Sequence, residues 1–227
     1  MSVYYTVRFT VGSGVKLPKN ANDKEHQMKS FTKRELVVTA ARKLFLEAGY
    51  GATSMDSIAA EAGVSKRTVY SHFQNKENLF AAIMVDMCDL INGTNPNVPI
   101  PIDRPEQVLK HLGLHIINSV LEPEALDVFR VVLAESHIFP ELGKAFWNAG
   151  PDVMKSFLVE YLVELDKRGV LKITKPELSA FQFIGMIKWP HHMRLLFGAG
   201  DAPTKAEIEE SLDLAVSTFV NGLKPTS

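Results

Sequence analysis

A short polar stretch in the first third of the chain carries the side chains best suited to chemistry. It reads Ser65-Lys66-Arg67-Thr68-Val69-Tyr70-Ser71-His72-Phe73. If it is helical, its outward positions are Lys66, Arg67, Thr68, Tyr70, Ser71 and His72. All six side chains can donate hydrogen bonds, and two of them are cations. Such a helix end fits the major groove of DNA and the phosphates beside it.

The residues just before this stretch predict the helix that must hold it in place. Thr53 and Asp56 match a capping box and predict a short helix ending near Ala62. Gly63 can adopt the left-handed conformation of a sharp turn, and Ser65 can cap the next helix. Two short helices joined in this way form a helix-turn-helix, whose inward side chains are Ile58, Val64, Val69 and Phe73.

Four separate motifs over residues 33–80 resemble the tetracycline-repressor (TetR/AcrR) family of transcription regulators. The motifs are Ala40-Ala41-x-x-Leu44-Phe45-x-x-x-Gly49-Tyr50, Thr53-Ser54-x-x-x-Ile58-Ala59, Gly63-Val64-Ser65-x-x-x-Val69-Tyr70-x-x-Phe73 and Asn75-Lys76-Glu77-x-Leu79. The resemblance implies a DNA-binding regulator, which usually acts as a repressor, and no enzymatic activity.

The resemblance also implies which residues meet DNA. Thr53, Tyr70 and Lys76 match positions that contact phosphates. The groove-facing start of the recognition helix would be Ser65, Lys66, Arg67 and Thr68, with Ser71 and His72 beside it. Arg67 is the strongest candidate for a base contact because arginine reads guanine with two hydrogen bonds, although it could instead reach a phosphate. His72 could equally be a surface histidine packed against an aromatic ring.

Composition and charge agree with a DNA-binding module on a larger body. The chain has 227 residues with a net charge of −1, but residues 28–78 carry eight basic and five acidic residues, whereas residues 79–227 carry thirteen and nineteen. A basic segment suits a polyanionic partner. One cysteine, no apolar run long enough to cross a membrane and no secretory signal predict a cytoplasmic protein without a membrane partner.

The whole chain is predicted to be all-α, with a three-helix DNA-binding domain and a larger helical domain. We predict a flexible arm or extension at 1–30, the helix-turn-helix domain at 31–78 and an effector-binding and dimerisation domain at 79–227. Helical periodicity in this last domain predicts helices near 106–121, 124–137, 140–148, 151–168, 177–197 and 204–222.

The C-terminal body resembles the AefR-like domains of the same family, on the stretch Phe129-Arg130-Val131-Val132-Leu133-Ala134-Glu135-Ser136-x-x-Phe139-Pro140-Glu141-Leu142 with Phe146-Trp147. This resemblance implies effector binding and dimerisation. Apolar stripes on the last two helices could join two copies in a four-helix interface, or could pack only on their own core. The interface candidates are Phe181, Ile184, Ile208, Leu212, Ala215, Val216 and Phe219.

An unidentified small-molecule effector is expected in the middle helices. Candidate lining residues are Phe129, His137, Trp147, Phe183, Met186, Trp189 and Met193, each of which could instead be plain core. Pro190 should kink its helix, which could open a cavity. No metal site and no cofactor is predicted, since His191 and His192 point about 100° apart on a helix.

Three function classes follow from these residues. The favoured one is a regulator that binds double-stranded, palindromic operator DNA as a homodimer and is released by a small hydrophobic ligand. An architectural DNA-binding protein without a ligand is the alternative. An enzyme using His115, His137, His191 or His192 has no supporting set of nucleophile, base and orienting group.

Overall fold

The computed structural model describes residues 32–91 and 101–225, without the side chains of residues 88–91. Within these ranges the fold is all-α, as predicted. The helices are α1 (Lys33–Ala48), α2 (Met55–Glu61), α3 (Lys66–His72), α4 (Lys76–Ile91), α5 (Pro105–Leu121), α6 (Pro123–Glu135), α7 (Pro140–Ala149), α8 (Pro151–Lys167), α9 (Pro176–Leu196) and α10 (Lys205–Gly222). The predicted arm at residues 1–30 lies outside the described residues.

Helices α1 to α4 form a unit that we call the head. Thr32 caps α1 through a complete capping box with Glu35, which satisfies free backbone N–H groups at the helix start. The apolar faces of the four helices share one core, in which Phe45, Tyr50 and Phe80 pack with ring centroids 5.2 to 6.0 Å apart. This core continues into α6 and α7 through Val128 and Phe146, so the head is not isolated from the rest of the chain.

Helices α5 to α10 form the body. Five of them begin with proline, which is tolerated at a first helical position because that residue has no helical partner for an N–H. The remaining helix, α10, begins with a capping box between Thr204 and Glu207. A second core lies between α5, α8, α9 and α10, with Leu162, Phe183 and Leu212 fully buried at its centre.

The start of α2 and the course of α9 were both predicted from local sequence signals. Ser54 caps α2 and Ser57 closes the capping box, so the predicted pair of Thr53 and Asp56 is wrong. Thr53 cannot cap because its hydroxyl donates to the carbonyl oxygens of Leu44 and Gly49. Helix α9 continues through Pro190 to Leu196, in agreement with the bounds predicted for it, and the kink at Pro190 stays a prediction.

No helix among the described residues is both long enough and apolar enough to cross a membrane.

Candidate nucleic-acid interface

The turn between α2 and α3 sets the orientation of the third helix. Gly63 has φ +65°, a left-handed conformation that a residue with a Cβ seldom adopts. The Val64 N–H donates to the Ala59 carbonyl at 3.1 Å, which closes the turn. Ser65 then caps α3 by accepting the N–H of Thr68 at 3.1 Å. These local interactions fix the axis of α3 before any partner is present.

Helix α3 presents its polar face to solvent and its apolar face to the head core. Val69 and the following Phe73 are buried with Ile58 of α2. Ser65, Lys66, Arg67, Tyr70, Ser71 and His72 are exposed, and Thr68 is partly buried. The six outward donors predicted from the sequence therefore lie together on one helix, next to the capping hydroxyl of Ser65.

The two cations on this face differ in their surroundings. Lys66 Nζ lies 2.6 Å from Asp56 Oδ2 on α2, and both side chains are more than half exposed. Arg67 makes no hydrogen bond or ion pair with any group in the described part of the chain. An unpaired guanidinium on an exposed helix start keeps all its donors available for a base edge or a phosphate.

Tyr70 and His72 also differ from each other. The Tyr70 side chain is 51% exposed, so its phenol is free to reach a phosphate. The His72 ring lies against Phe73 with centroids 6.3 Å apart, while its residue remains exposed. The geometry thus keeps both interpretations of His72, as a DNA contact and as a packed surface histidine.

Thr53 and Lys76, which the resemblance placed on phosphates, are engaged within the head. Thr53 is only 4% exposed. Lys76 Nζ donates to the carbonyl oxygens of Tyr50 and Thr53 at 2.6 and 3.0 Å and lies 4.2 Å from the Tyr50 ring centroid. Burial lowers the pKa of Lys76. Both side chains stabilise the loop between α1 and α2 in this conformation. Burial corrects the expected phosphate contact of the Thr53 side chain, whereas that of the partly buried Lys76 stays a prediction.

A carboxylate from the body holds the same loop, a feature that the sequence analysis missed. Glu135, the last residue of α6, accepts the N–H groups of Tyr50 and Gly51 at 2.8 and 2.6 Å. Phe139 packs on the Tyr50 ring with centroids 5.6 Å apart. We call Glu135 and Phe139, with the loop they contact, the head–body junction. Only its tertiary neighbours identify it, because a glutamate at a helix end has no distinctive sequence signal.

The predicted effector residues do not line one site. Phe183 is fully buried in the second core, 5.1 Å from the Phe219 ring centroid. The remaining candidates are spread between surface and partly buried positions: His137, Trp147, Met186 and Trp189 are exposed, and Phe129 and Met193 are partly buried. The grouping fails because positions with similar residue types lie on different faces of α6, α7 and α9.

The predicted dimer residues divide in the same way. Leu212, Ala215, Val216 and Phe219 are buried inside their own subunit, which corrects their assignment to an interface. Ile184 and Ile208 are partly buried. Phe181 is exposed but stacks on Trp147, with ring centroids 5.9 Å apart. The apolar stripe of α10 is thus a core stripe, which was the alternative that the sequence left open.

Comparisons with known proteins agree with this geometry. Residues 37–83 match the family model for bacterial regulatory proteins of the tetR family, and residues 107–222 match the model for the C-terminal domain of AefR-like transcriptional repressors. The chain is 43% identical over 164 residues to the uncharacterised HTH-type transcriptional regulator YhgD of Bacillus subtilis, covering 67% of this chain and 78% of that protein.

Two further relatives extend the likeness over most of the chain. The chain is 27% identical over 191 residues to the uncharacterised HTH-type regulator YvkB of Bacillus subtilis, covering 82% of this chain and 95% of YvkB. The solved structure of the flavonoid-responsive regulator FrrA superposes with a TM-score of 0.75 at 31% identity, covering 86% of this chain and 98% of FrrA. The chain therefore belongs to the TetR family of DNA-binding transcription regulators, which are not enzymes, and carries an AefR-like C-terminal domain.

Proposed function

We propose that the protein is a repressor that binds a palindromic operator as a homodimer and is released by a small hydrophobic ligand. The observation that carries the proposal is the exposed donor face of α3, on which Arg67 has no partner among the described residues. We assign base reading to Arg67 and phosphate contact to Tyr70, with Ser65, Lys66, Thr68, Ser71 and His72 completing the surface. The match to a repressor-type C-terminal domain supports the direction of regulation.

We place the reading function in residues 31–78 and the dimerisation and effector functions in residues 79–227. Two recognition helices must lie about one DNA turn apart to enter successive major grooves. One subunit cannot provide this spacing, so operator binding requires a second copy.

An outward stripe on α9 is our proposed dimer face. Leu178, Gly185, Met186 and Trp189 recur at helical spacing, and Trp189 is 65% exposed. A side chain at Gly185 would meet open space, so a partner helix can approach closely there. Leu214 on α10 is also exposed. The proposed interface therefore uses the two helices expected from the sequence, but the opposite face of α10.

The head–body junction supports a route for ligand release. Glu135 ends α6 and holds the loop that precedes α2, so a shift of α6 moves the attachment point of the helix-turn-helix. A ligand that prefers the shifted arrangement weakens DNA binding by the ratio of its affinities for the two arrangements. Shared core packing of Val128 and Phe146 with the head supports transmission of that shift.

Salt-dependent binding to the DNA upstream of the protein's own gene tests the reading function. We expect saturation at two subunits per palindrome, with affinity falling as salt rises. Arg67→Ala should weaken binding about 10- to 100-fold, corresponding to a lost base contact of about 1–3 kcal/mol, and Tyr70→Phe should weaken it less. Equal weak binding to all sequences, unchanged in Arg67→Ala, would contradict the proposal.

Sedimentation equilibrium tests the dimer face. Trp189→Glu should give monomers, because it places a charge at the centre of an apolar interface. Phe157→Glu is the matched control, since Phe157 is an exposed aromatic residue on α8 outside the stripe, and it should remain dimeric. If Trp189→Glu still dimerises with the dissociation constant of the wild type, the interface lies elsewhere.

The alternative, a ligand-independent architectural DNA-binding protein of the same fold, is separable by one property. Its operator affinity would not change with any small molecule that binds the body. A small molecule bound at the buried polar cluster of the body would allow operator affinity to be compared with and without a ligand.

A further inference from the structure

A buried polar cluster lies where α6, α7 and α9 meet. His192 is 1% exposed, and both its ring nitrogens lack a hydrogen-bond partner among the described residues. Its ring meets that of Phe129 edge-on at 4.7 Å, and Phe129 meets Phe146 in the same way at 4.8 Å. Lys188, one turn earlier on α9, places Nζ 5.2 Å from the Phe129 ring centroid.

Lys188 is partly buried in these surroundings. It forms no ion pair or hydrogen bond with any side chain or backbone group that the structure describes. Burial lowers its pKa. The pKa of His192 is lowered to about 4, first by burial and then by the neighbouring charge of Lys188. A buried imidazole without a partner beside a partly buried ammonium is costly, and a protein retains such groups where something else completes them.

Helix α9 is weakened at the same turn. Pro190 lies between Lys188 and His192 and has no N–H, so the carbonyl of Met186 loses its usual helical donor. Just beyond the cluster, Arg130 of α6 donates to the carbonyl oxygens of Leu195 and Leu196 at the end of α9. Helices α6 and α9 are therefore held together by Arg130 at the end of α9, and they can separate at the turn that carries Lys188 and His192.

We propose that Phe129, Lys188 and His192 bind the carboxylate of a small apolar acid, which is the effector of this regulator. The carboxylate accepts from Lys188 Nζ and from a ring N–H of His192, and the apolar part packs on Phe129 and Phe146. The assignment rests on the proposed ligand-released function. Entry of the acid displaces Phe129, which lies on the same helix as Glu135 at the head–body junction.

Paired probes test the site in the full-length dimer. Isothermal titration compares naphthalene-2-carboxylate with naphthalene-2-carboxamide, and decanoate with decanamide. Within each pair only the carboxylate is changed, and the two pairs show whether the apolar part of the acid is aromatic or aliphatic. We expect at least one carboxylate to bind about tenfold more tightly than its amide, since a charge-assisted hydrogen bond to a partly buried cation is stronger than a hydrogen bond to a neutral amide. No binding by either carboxylate up to millimolar concentration, or equal affinity within both pairs, overturns the proposal.

Variants locate the binding. Lys188→Met keeps most of the side-chain volume and should abolish the preference for carboxylate over amide, whereas Lys144→Met, at an exposed lysine on α7, should leave it unchanged. A preference that persists in Lys188→Met overturns the site. If Lys188→Met fails to fold, the wild-type comparison and Lys188→Arg, which should retain the preference, still decide.

Fluorescence anisotropy of labelled operator in the same samples separates this proposal from the proposed function. Carboxylate binding that leaves the operator bound supports the site and contradicts its role as effector. Failure to bind operator at all contradicts the regulator function, whatever the probes do.

Discussion

The recognition helix and the last helix of the body were both predicted from apolar periodicity, with different success. On α3, the inward positions Val69 and Phe73 are buried and the outward donors are exposed. On α10, the apolar stripe around Leu212 and Phe219 is also buried, but in its own subunit rather than between two. Periodicity shows which face is buried but not what covers it. In the head the partner is the adjacent helix in sequence, whereas in the body it comes from distant helices.

Truncation of Phe183 is expected to have the largest effect, and it tests whether this body residue is core or pocket lining. Because the ring is fully buried against Phe219, Phe183→Ala should lower the free energy of unfolding by about 3–5 kcal/mol. Urea unfolding at fixed protein concentration measures it, with Phe157→Ala as the exposed control expected within about 0.5 kcal/mol. If Phe183→Ala leaves the free energy of unfolding unchanged but weakens effector binding, Phe183 lines the effector pocket instead.

The buried histidine of the body should make stability depend on pH. The native pKa of His192 is about 4, below its ordinary value of 6.5, so the unfolded state takes up a proton first as the pH falls. Its stabilising contribution is complete above pH 6.5 and is lost between pH 6.5 and 4, by at most about 1.4 kcal/mol per pH unit. Urea midpoints at pH 7.5, 6.0 and 5.0 should fall less steeply in His192→Leu, and parallel curves would show that His192 is not buried.

The head–body junction lies between the two regions compared. In Glu135→Gln one oxygen becomes an amide donor that faces a backbone N–H, so the free energy of unfolding should fall by about 1–3 kcal/mol. Hydrogen exchange should accelerate at the amides of Tyr50 and Gly51 while the exchange of Phe183 stays slow. Equal protection of these loop amides in the variant and the wild type would contradict a coupling role for Glu135.

Lys76 and Arg67, both in the head, are expected to have opposite effects on stability and on DNA binding. Lys76→Met removes two hydrogen bonds to backbone carbonyls and should lower the free energy of unfolding by about 1–2 kcal/mol, without changing the salt dependence of operator binding. Arg67→Ala should do the reverse, leaving stability unchanged and reducing the salt slope by about one if it also meets a phosphate. A reduced slope in Lys76→Met would show that Lys76 leaves its loop to bind DNA.

The smallest expected effect concerns the start of α2. Ser54→Ala should lower the free energy of unfolding by about 1 kcal/mol because the cap hydrogen bond to the N–H of Ser57 is lost. Asp56→Ala removes an exposed ion pair to Lys66 and a favourable charge in the first turn of α2, and should cost less than loss of the cap, about 0.5 kcal/mol. Thermal unfolding of the two variants side by side measures the difference, and the opposite ranking would favour the cap first predicted from the sequence.

Local sequence patterns were sufficient to predict the helices, the helix-turn-helix and the polar face of α3. Proline and glycine positions and capping residues act within a few residues, so helix bounds in the body agree closely with those predicted. The turn at Gly63 and the cap at Ser65 are local in the same sense. For these features the physical cause and the sequence signal occupy the same short segment.

Contacts between side chains that are far apart in the sequence could be identified only from the folded structure. It placed Thr53 and Lys76 inside the head, brought Glu135 to a loop 84 residues earlier, and set Lys188 and His192 against Phe129. It also buried the apolar stripe of α10 in the core of its own subunit. Each outcome depends on how distant helices cross, and residue types along one helix do not specify that.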